Sequence, residues 1–219
     1  MNILEINRTT VPVLKSSDTV AFALELMLGE HLFVLPLVNE TGHFLGLHDY
    51  DTLIEVNKKS LLKKVTPSKQ EAFLTVENSV YDAVRLFQAG LGLVALLDED
   101  GLYQDAITPS AVLAYFAQLG GVGEPGGYIS LRIERNNYAL SEIARIAESN
   151  NAVIISLLLS SAPSADMLEI TLKFNLEDLT YLIATFERFS YEVTGYHHQS
   201  NISDMYNDRY WSFIRYLNT

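Results

Sequence analysis

The sequence predicts an α+β protein in which a duplicated strand–helix–strand–strand unit is followed by a βαββαβ unit and a C-terminal helix. Three observations carry that prediction. The stretch Leu35-Pro36-Leu37-Val38-Asn39-Glu40-Thr41-Gly42-His43-Phe44-Leu45-Gly46-Leu47 is an apolar strand, a polar turn closed by Gly42 and a second apolar strand; Leu96-Leu97-Asp98-Glu99-Asp100-Gly101-Leu102-Tyr103 repeats it. Five of the chain's 12 glycines fall between Gly120 and Gly127. Beyond that cluster the hydrophobic pattern runs strand, helix, strand, strand, helix, strand. The division that follows is 1–60 and 61–119 for two copies, 120–127 for a linker, 128–198 for a third unit and 199–219 for a tail.

In the first copy, Val11-Pro12-Val13-Leu14 is a short apolar entry strand. Ser16-Ser17-Asp18 follows, with Asp18 expected as the N-cap of a helix whose apolar stripe is Val20, Ala23, Leu24 and Met27. The strand–turn–strand comes next, and Thr52-Leu53-Ile54 opens another helical stretch. The second copy preserves the order. Phe73-Leu74-Thr75-Val76 is its entry strand, Asn78 takes the cap position, and Val80, Ala83, Val84 and Phe87 form the stripe. After that helix Pro36 aligns with Ala95 and Gly42 with Gly101. A shared composition would not keep cap, stripe and turn in one order, so the repeat is a duplication.

The glycine-rich stretch has few side chains to pack and high backbone entropy, which reads as a linker. In the third unit Tyr128-Ile129-Ser130-Leu131-Arg132-Ile133 alternates as a half-buried strand, and Leu140, Ile143, Ala144 and Ala147 make a helical stripe. Ala152 to Leu159 is an apolar strand, Ser160 to Asp166 a loop, and Leu168 to Phe174 a second alternating strand. Leu179, Leu182, Ile183 and Phe186 make the second stripe before a last strand at Tyr191-Glu192-Val193. In the tail, Tyr206, Tyr210, Phe213 and Leu217 share one helical face, with Trp211 off it. That helix either docks on its own protein or grips a partner subunit.

Composition narrows the function. Hydrophobic residues make up 48% and charged residues 19% of 219, enough for real cores. No apolar run reaches the roughly 18 residues of a spanning helix, and Met1-Asn2-Ile3-Leu4-Glu5 lacks a signal-peptide pattern. Zero cysteines exclude disulfides and thiol chemistry. A cytoplasmic protein without membrane partners fits. Net charge of −12 opposes nucleic-acid binding, and the one basic cluster, Lys58-Lys59 with Lys63-Lys64, reads as a solvated face. No nucleophile, phosphate-loop or zinc-protease motif occurs, so no enzyme is expected. Adjacent His197 and His198 would point to opposite faces of a strand; His43 and His48, near Asp49 and Asp51, read as turn and rim residues.

On Leu35-Pro36-Leu37-Val38 with the Gly42 turn and Gly46, and on Asp98-Glu99-Asp100-Gly101 with the preceding helices, the duplication resembles a tandem pair of CBS domains, the Bateman module. The third unit, on Leu140-x-x-Ile143 and its βαββαβ order, resembles a ferredoxin-like ACT domain. The combination is similar to AcuB-type acetoin-utilisation proteins. The resemblance implies a homodimeric sensor that binds an adenine nucleotide or S-adenosylmethionine in clefts between the copies and transmits its state through the dimer arrangement, with a protein partner as a further expectation. It also implies a Thr/Ser for phosphate and an Asp three residues later for ribose hydroxyls, a strong charge-assisted contact.

This chain departs from those motifs. Asp49 stands at the first Thr/Ser position and Thr52 at the Asp position, with Asp51 one place early. In the second copy Thr108 keeps the Thr position, Asp105 replaces the glycine and Ala111 replaces the Asp. The candidate adenosine-binding residues are therefore Thr108, Asp49 and Asp51. The amino-acid loop of the ACT resemblance is occupied by Arg135-Asn136-Asn137-Tyr138, where Asn136-Asn137 is expected to make the turn and cap the helix. The competing reading is a ligand-free dimerisation scaffold.

Overall fold

The computed structural model describes residues 2–6, 10–161 and 166–199 and divides into two compact units, Met1–Phe116 and Ala117–Thr219. The C-terminal stripe Tyr206, Tyr210, Phe213 and Leu217, with Trp211, lies outside the described residues.

The first unit builds one motif twice. Strand β1 (Leu14–Lys15), helix α1 (Val20–Gly29), β2 (Val34–Val38), β3 (Phe44–Asp49) and α2 (Tyr50–Leu53) form one copy. Strand β4 (Phe73–Thr75), α3 (Val80–Gln88), β5 (Val94–Leu97), β6 (Tyr103–Ile107) and α4 (Pro109–Leu119) form the other. In each, the entry strand runs parallel to the second strand, which pairs antiparallel with the third. Val20, Ala23, Leu24 and Met27 are buried as the stripe requires. The caps differ from expectation. Thr19, not Asp18, caps α1 by accepting from Phe22 N at 3.2 Å, while Asp18 turns back to accept from Lys15 N at 2.8 Å. Ser79 and Asn78 divide the same two tasks before α3, with Asn78 Oδ1 accepting from Thr75 N at 2.8 Å. A short polar side chain one residue before the cap closes the strand-to-helix turn instead.

The two copies pair reciprocally. Asn39 Oδ1 accepts from Thr41 N and His43 N, both at 2.9 Å. Asp98 Oδ1 accepts from Asp100 N and Leu102 N at 3.0 and 2.8 Å, the same turn again. Phe44 N donates to Gly101 O at 3.3 Å and Tyr103 N to Gly42 O at 3.1 Å, so aligned residues exchange bonds across a pseudo-two-fold axis. The lead-in segments also cross over. Leu62, ahead of the second copy, is fully buried in the core of the first, and its N–H donates to Asp18 O at 2.8 Å. Ile3, ahead of the first, is fully buried in the core of the second, its N–H donating to Asn78 O at 3.3 Å. Neither copy holds a complete core by itself.

The second unit is β7 (Gly126–Glu134), α5 (Leu140–Ser149), β8 (Ile154–Ser161), β9 (Met167–Phe174), α6 (Thr180–Arg188) and β10 (Glu192–Gln199). Its four strands lie in the order β10-β7-β9-β8, all neighbours antiparallel, the arrangement of a split βαβ succession. Ile143, Ile146 and Ala147 of α5 and Leu182 and Phe186 of α6 fill the core with Ile129, Leu131, Ile170 and Leu172. Leu140, expected in the stripe, is 48% exposed at the first position of α5, and the buried face is Ile143, Ile146 and Ala147.

Two further expectations change. Strand β7 begins inside the glycine-rich stretch, where Gly126 has φ +142 and an added Cβ would strike Phe174 O. Asn136 and Asn137 do not cap α5. They lie in a 3-10 turn, Asn137 Nδ2 donates to Glu134 Oε2 at 3.2 Å, and the cap position is Ala139.

Candidate functional site

Asp49 and Thr108 occupy equivalent places, each the last residue before the helix that follows the third strand of its copy. Asp49 is half-buried at the N-cap position of α2 and makes no capping hydrogen bond. Asp51 is exposed one residue into that helix. Thr108 Oγ1 accepts from Ala111 N at 3.3 Å and lies 2.9 Å from Ser110 Oγ, so its hydroxyl caps α4. Ala111 packs against the second core, with a methyl where a ribose-binding carboxylate would be needed. Asp49 and Asp51 thus stand at the start of α2 and Thr108 at the corresponding point of the other copy, with no hydrogen bond among the three.

The connecting segment before β4 was invisible as a site in the sequence. Ser68 N donates to Leu47 O at 2.9 Å and Leu47 N to Lys69 O at 2.8 Å, so this segment runs along β3 of the first copy. Ser68 Oγ donates to Thr52 Oγ1 at 3.3 Å, which fixes it beside the start of α2. It then lines an open cavity of about 650 Å³ with Leu86, Ala89 and Leu91 of the second copy. Its walls combine apolar Pro67 and Ala72 with polar Thr66, Ser68, Gln70 and Glu71, and one cation, Lys69. The only sequence signal was a Thr-Pro-Ser run between two lysine pairs and a strand.

His48 is also misplaced by sequence reasoning. It is a core side chain of β3 with 0% exposure, not a rim residue, and neither ring nitrogen has a hydrogen-bond partner among the described residues. Burial lowers its pKa, against a smaller opposing pull from Asp49. His43 lies at the turn with Nδ1 2.9 Å from Thr41 Oγ1. Among the described residues no group of three His, Asp or Glu side chains is placed to hold a metal ion.

A cavity of about 520 Å³ in the second unit opens beside the 3-10 turn and is lined by Arg132, Asn137, Glu142, Phe189 and Tyr191, among others. Its cation is already engaged: Arg132 pairs with Glu192 at 3.0 Å and Glu169 at 3.4 Å. Tyr191 Oη donates to Glu142 Oε2 at 3.0 Å, and its pKa rises to about 12 through burial and that bond. An incoming carboxylate would have to displace an existing pair.

No protein-family model matches the chain. Among solved structures it is similar to a CBS domain pair/ACT domain protein of Thermotoga maritima, at 19% identity over 54% of this chain and 98% of that one, with a TM-score of 0.49. It is also similar to the CBS-pair protein CBSX2 of Arabidopsis thaliana, at 20% identity over 52% and 91%, TM-score 0.45. A structure of CBSX2 in complex with AMP matches at 22% identity over 52% and 92%, TM-score 0.45. A CBS domain protein of unknown function from Thermoplasma acidophilum matches at 19% over 52% and 68%, TM-score 0.45.

Proposed function

We propose that the chain is a non-catalytic, cytoplasmic regulatory protein whose paired copies bind an adenosine-type ligand, an adenine nucleotide or S-adenosylmethionine, and transmit the bound state through a homodimer. The observation that carries this reading is the cavity along residues 66–72. Its volume of about 650 Å³ suits a nucleoside-sized ligand, and small-molecule sites commonly span roughly 300–1,000 Å³. Its apolar wall offers a surface for a base, and Lys69 a single countercharge for phosphate. Asp49 and Asp51 at the neighbouring helix start repel a polyphosphate, which favours a nucleoside or monophosphate. Thr108 supplies a hydroxyl at the equivalent second site, at the expense of its capping bond. In this reading 1–60 and 61–119 are CBS repeats and 128–198 an ACT-like domain, an order like that of the AcuB-type proteins.

The homodimer reading is supported by an apolar groove of about 410 Å³ between α3 and α4, lined by Tyr81, Val84, Phe87, Pro109, Leu113 and Phe116. Leu113 is 71% and Tyr81 52% exposed, a concentration of apolar surface that a second copy would cover.

A second reading, a ligand-free dimerisation scaffold, is favoured by Thr108's engaged hydroxyl, by Ala111 and by the paired Arg132. Thermal unfolding with AMP, ADP, ATP and S-adenosylmethionine separates the two, because a ligand that binds only the folded state raises the melting temperature. The sensor reading expects a saturable rise for at least one compound, reduced by Lys69→Ala. A flat panel at millimolar ligand favours the scaffold.

A further inference from the structure

The lysine cluster set aside as a solvated face is larger in three dimensions than in sequence. Lys63 N donates to Ser16 O at 2.9 Å, Ala21 N to Lys58 O at 2.9 Å and Val20 N to Ser60 O at 2.9 Å, so residues 58–63 are laced to the turn that opens α1. Lys15, at the end of β1, joins them there. Lys15, Lys58, Lys59, Lys63 and Lys64 are all exposed, and among the described residues none of the five forms an ion pair. They are five of the seven lysines of a chain whose net charge is −12. Phe22, in the first turn of α1, is 48% exposed among them.

Duplication does not account for the patch. The corresponding residues of the second copy are Thr75 for Lys15, Leu4 for Lys63 and Glu5 for Lys64. One end of the repeat has become basic while its pseudo-symmetric counterpart has not. Positive ends of helix dipoles add to the same field at the start of α1.

We propose that this face docks an acidic segment of a partner protein, a run of Glu and Asp carrying an apolar residue to meet Phe22. Size decides between anionic partners. The patch is about 15 Å across, the width of a helix and one adjoining segment. Glu40 reaches its edge, accepting from Ser16 Oγ at 3.1 Å, and exposed Glu25 lies about one turn along α1 from Phe22. A duplex or a bilayer extends well past it and meets those carboxylates within a Debye length of about 10 Å. A short acidic peptide covers only the lysines and meets far less of that repulsion.

The test uses the full chain and a fluorescent peptide of alternating glutamates around one leucine, read by anisotropy at low salt. The expected result is saturable binding that weakens at least about tenfold when salt rises from about 20 to 200 mM. Reversal in Lys58→Glu/Lys59→Glu/Lys63→Glu/Lys64→Glu, whose exposed positions leave the melting temperature unchanged, abolishes it; Phe22→Ser weakens it at constant salt dependence. Binding that survives the reversal overturns the proposal. So does absence of peptide binding while phosphatidylserine vesicles or a DNA duplex bind in a lysine-dependent way, which would assign the face to that partner.

Discussion

Gly46 sits where a side chain has no room. With φ +143, its missing Cβ would lie 2.5 Å from Pro67 Cβ and 3.0 Å from Lys69 O, the segment that lines the proposed cleft. Gly46→Ala should therefore cost at least about 2 kcal/mol in urea unfolding, through strain and displacement of residues 66–69 together. A change below about 0.5 kcal/mol would mean the segment moves freely. His48 gives a pH signature. Its folded pKa is depressed by burial, so the neutral form is the one that folds, and stability is complete above the unfolded value of about 6.5. As pH falls below that value the unfolded state takes up the proton first, and stability declines by up to about 1.4 kcal/mol per pH unit until the folded pKa is reached. His48→Leu should flatten this part of the stability–pH curve. An unchanged slope in the variant would remove His48 as its cause.

At the scale of elements, caps and straps do much of the positioning. Thr19→Ala removes the bond to Phe22 N and should cost about 1 kcal/mol, whereas Asp18→Ala should act on the turn before α1 and not on the helix. Helical hydrogen exchange in α1 separates the two. Lys173 shows how an alternating strand can mislead. Its position in β9 marks it for the polar face, yet it is fully buried, because residues 120–124 cross over it. Its Nζ donates to Glu124 O at 2.8 Å and sits 4.8 Å from the Tyr128 ring centroid. Ser156 Oγ holds Gly120 O at 3.1 Å in the same way. Lys173→Met leaves the Glu124 carbonyl without this donor and should cost about 1–3 kcal/mol, with faster protease cleavage at 120–125. Cleavage at the wild-type rate would show that the strap is held otherwise.

For the whole molecule, the reciprocal exchange of lead-in segments makes the two copies interdependent. Each copy lends the other a buried residue, Ile3 or Leu62, so the pair should unfold in a single transition. Ile3→Ala should destabilise by about 2–4 kcal/mol and act on the second copy, since the cavity opens in that core. Exchange protection lost only in the first copy would contradict the crossing. The proposed homodimer should depend on the groove between α3 and α4: Leu113→Glu, at a site exposed in the isolated chain, should sediment as a monomer where the wild type sediments as a dimer, without a lower melting temperature.

Local chemistry was legible in the chain. Periodicity placed the stripes of α1, α3 and α6, and the repeated turn announced the duplication, because Asn39 and Asp98 close their turns with bonds to residues two and four positions on. Such features depend on near neighbours, which a sequence displays directly. What depended on distant segments could not be seen there. The burial of His48 and Lys173, the crossing of Ile3 and Leu62, and the gathering of Lys15 with Lys58 to Lys64 each follow from a backbone segment laid across another. The candidate site divides the same way. Asp49, Asp51 and Thr108 became candidates through the resembled motif and none lines the cavity, whose Thr66–Ala72 wall took shape only when Ser68 met Thr52 and residues 68–69 paired with Leu47. Propensity and pattern are properties of a window of residues; burial and charge clustering belong to the packed chain, where hydrogen-bonding and hydrophobic contact bring remote windows together.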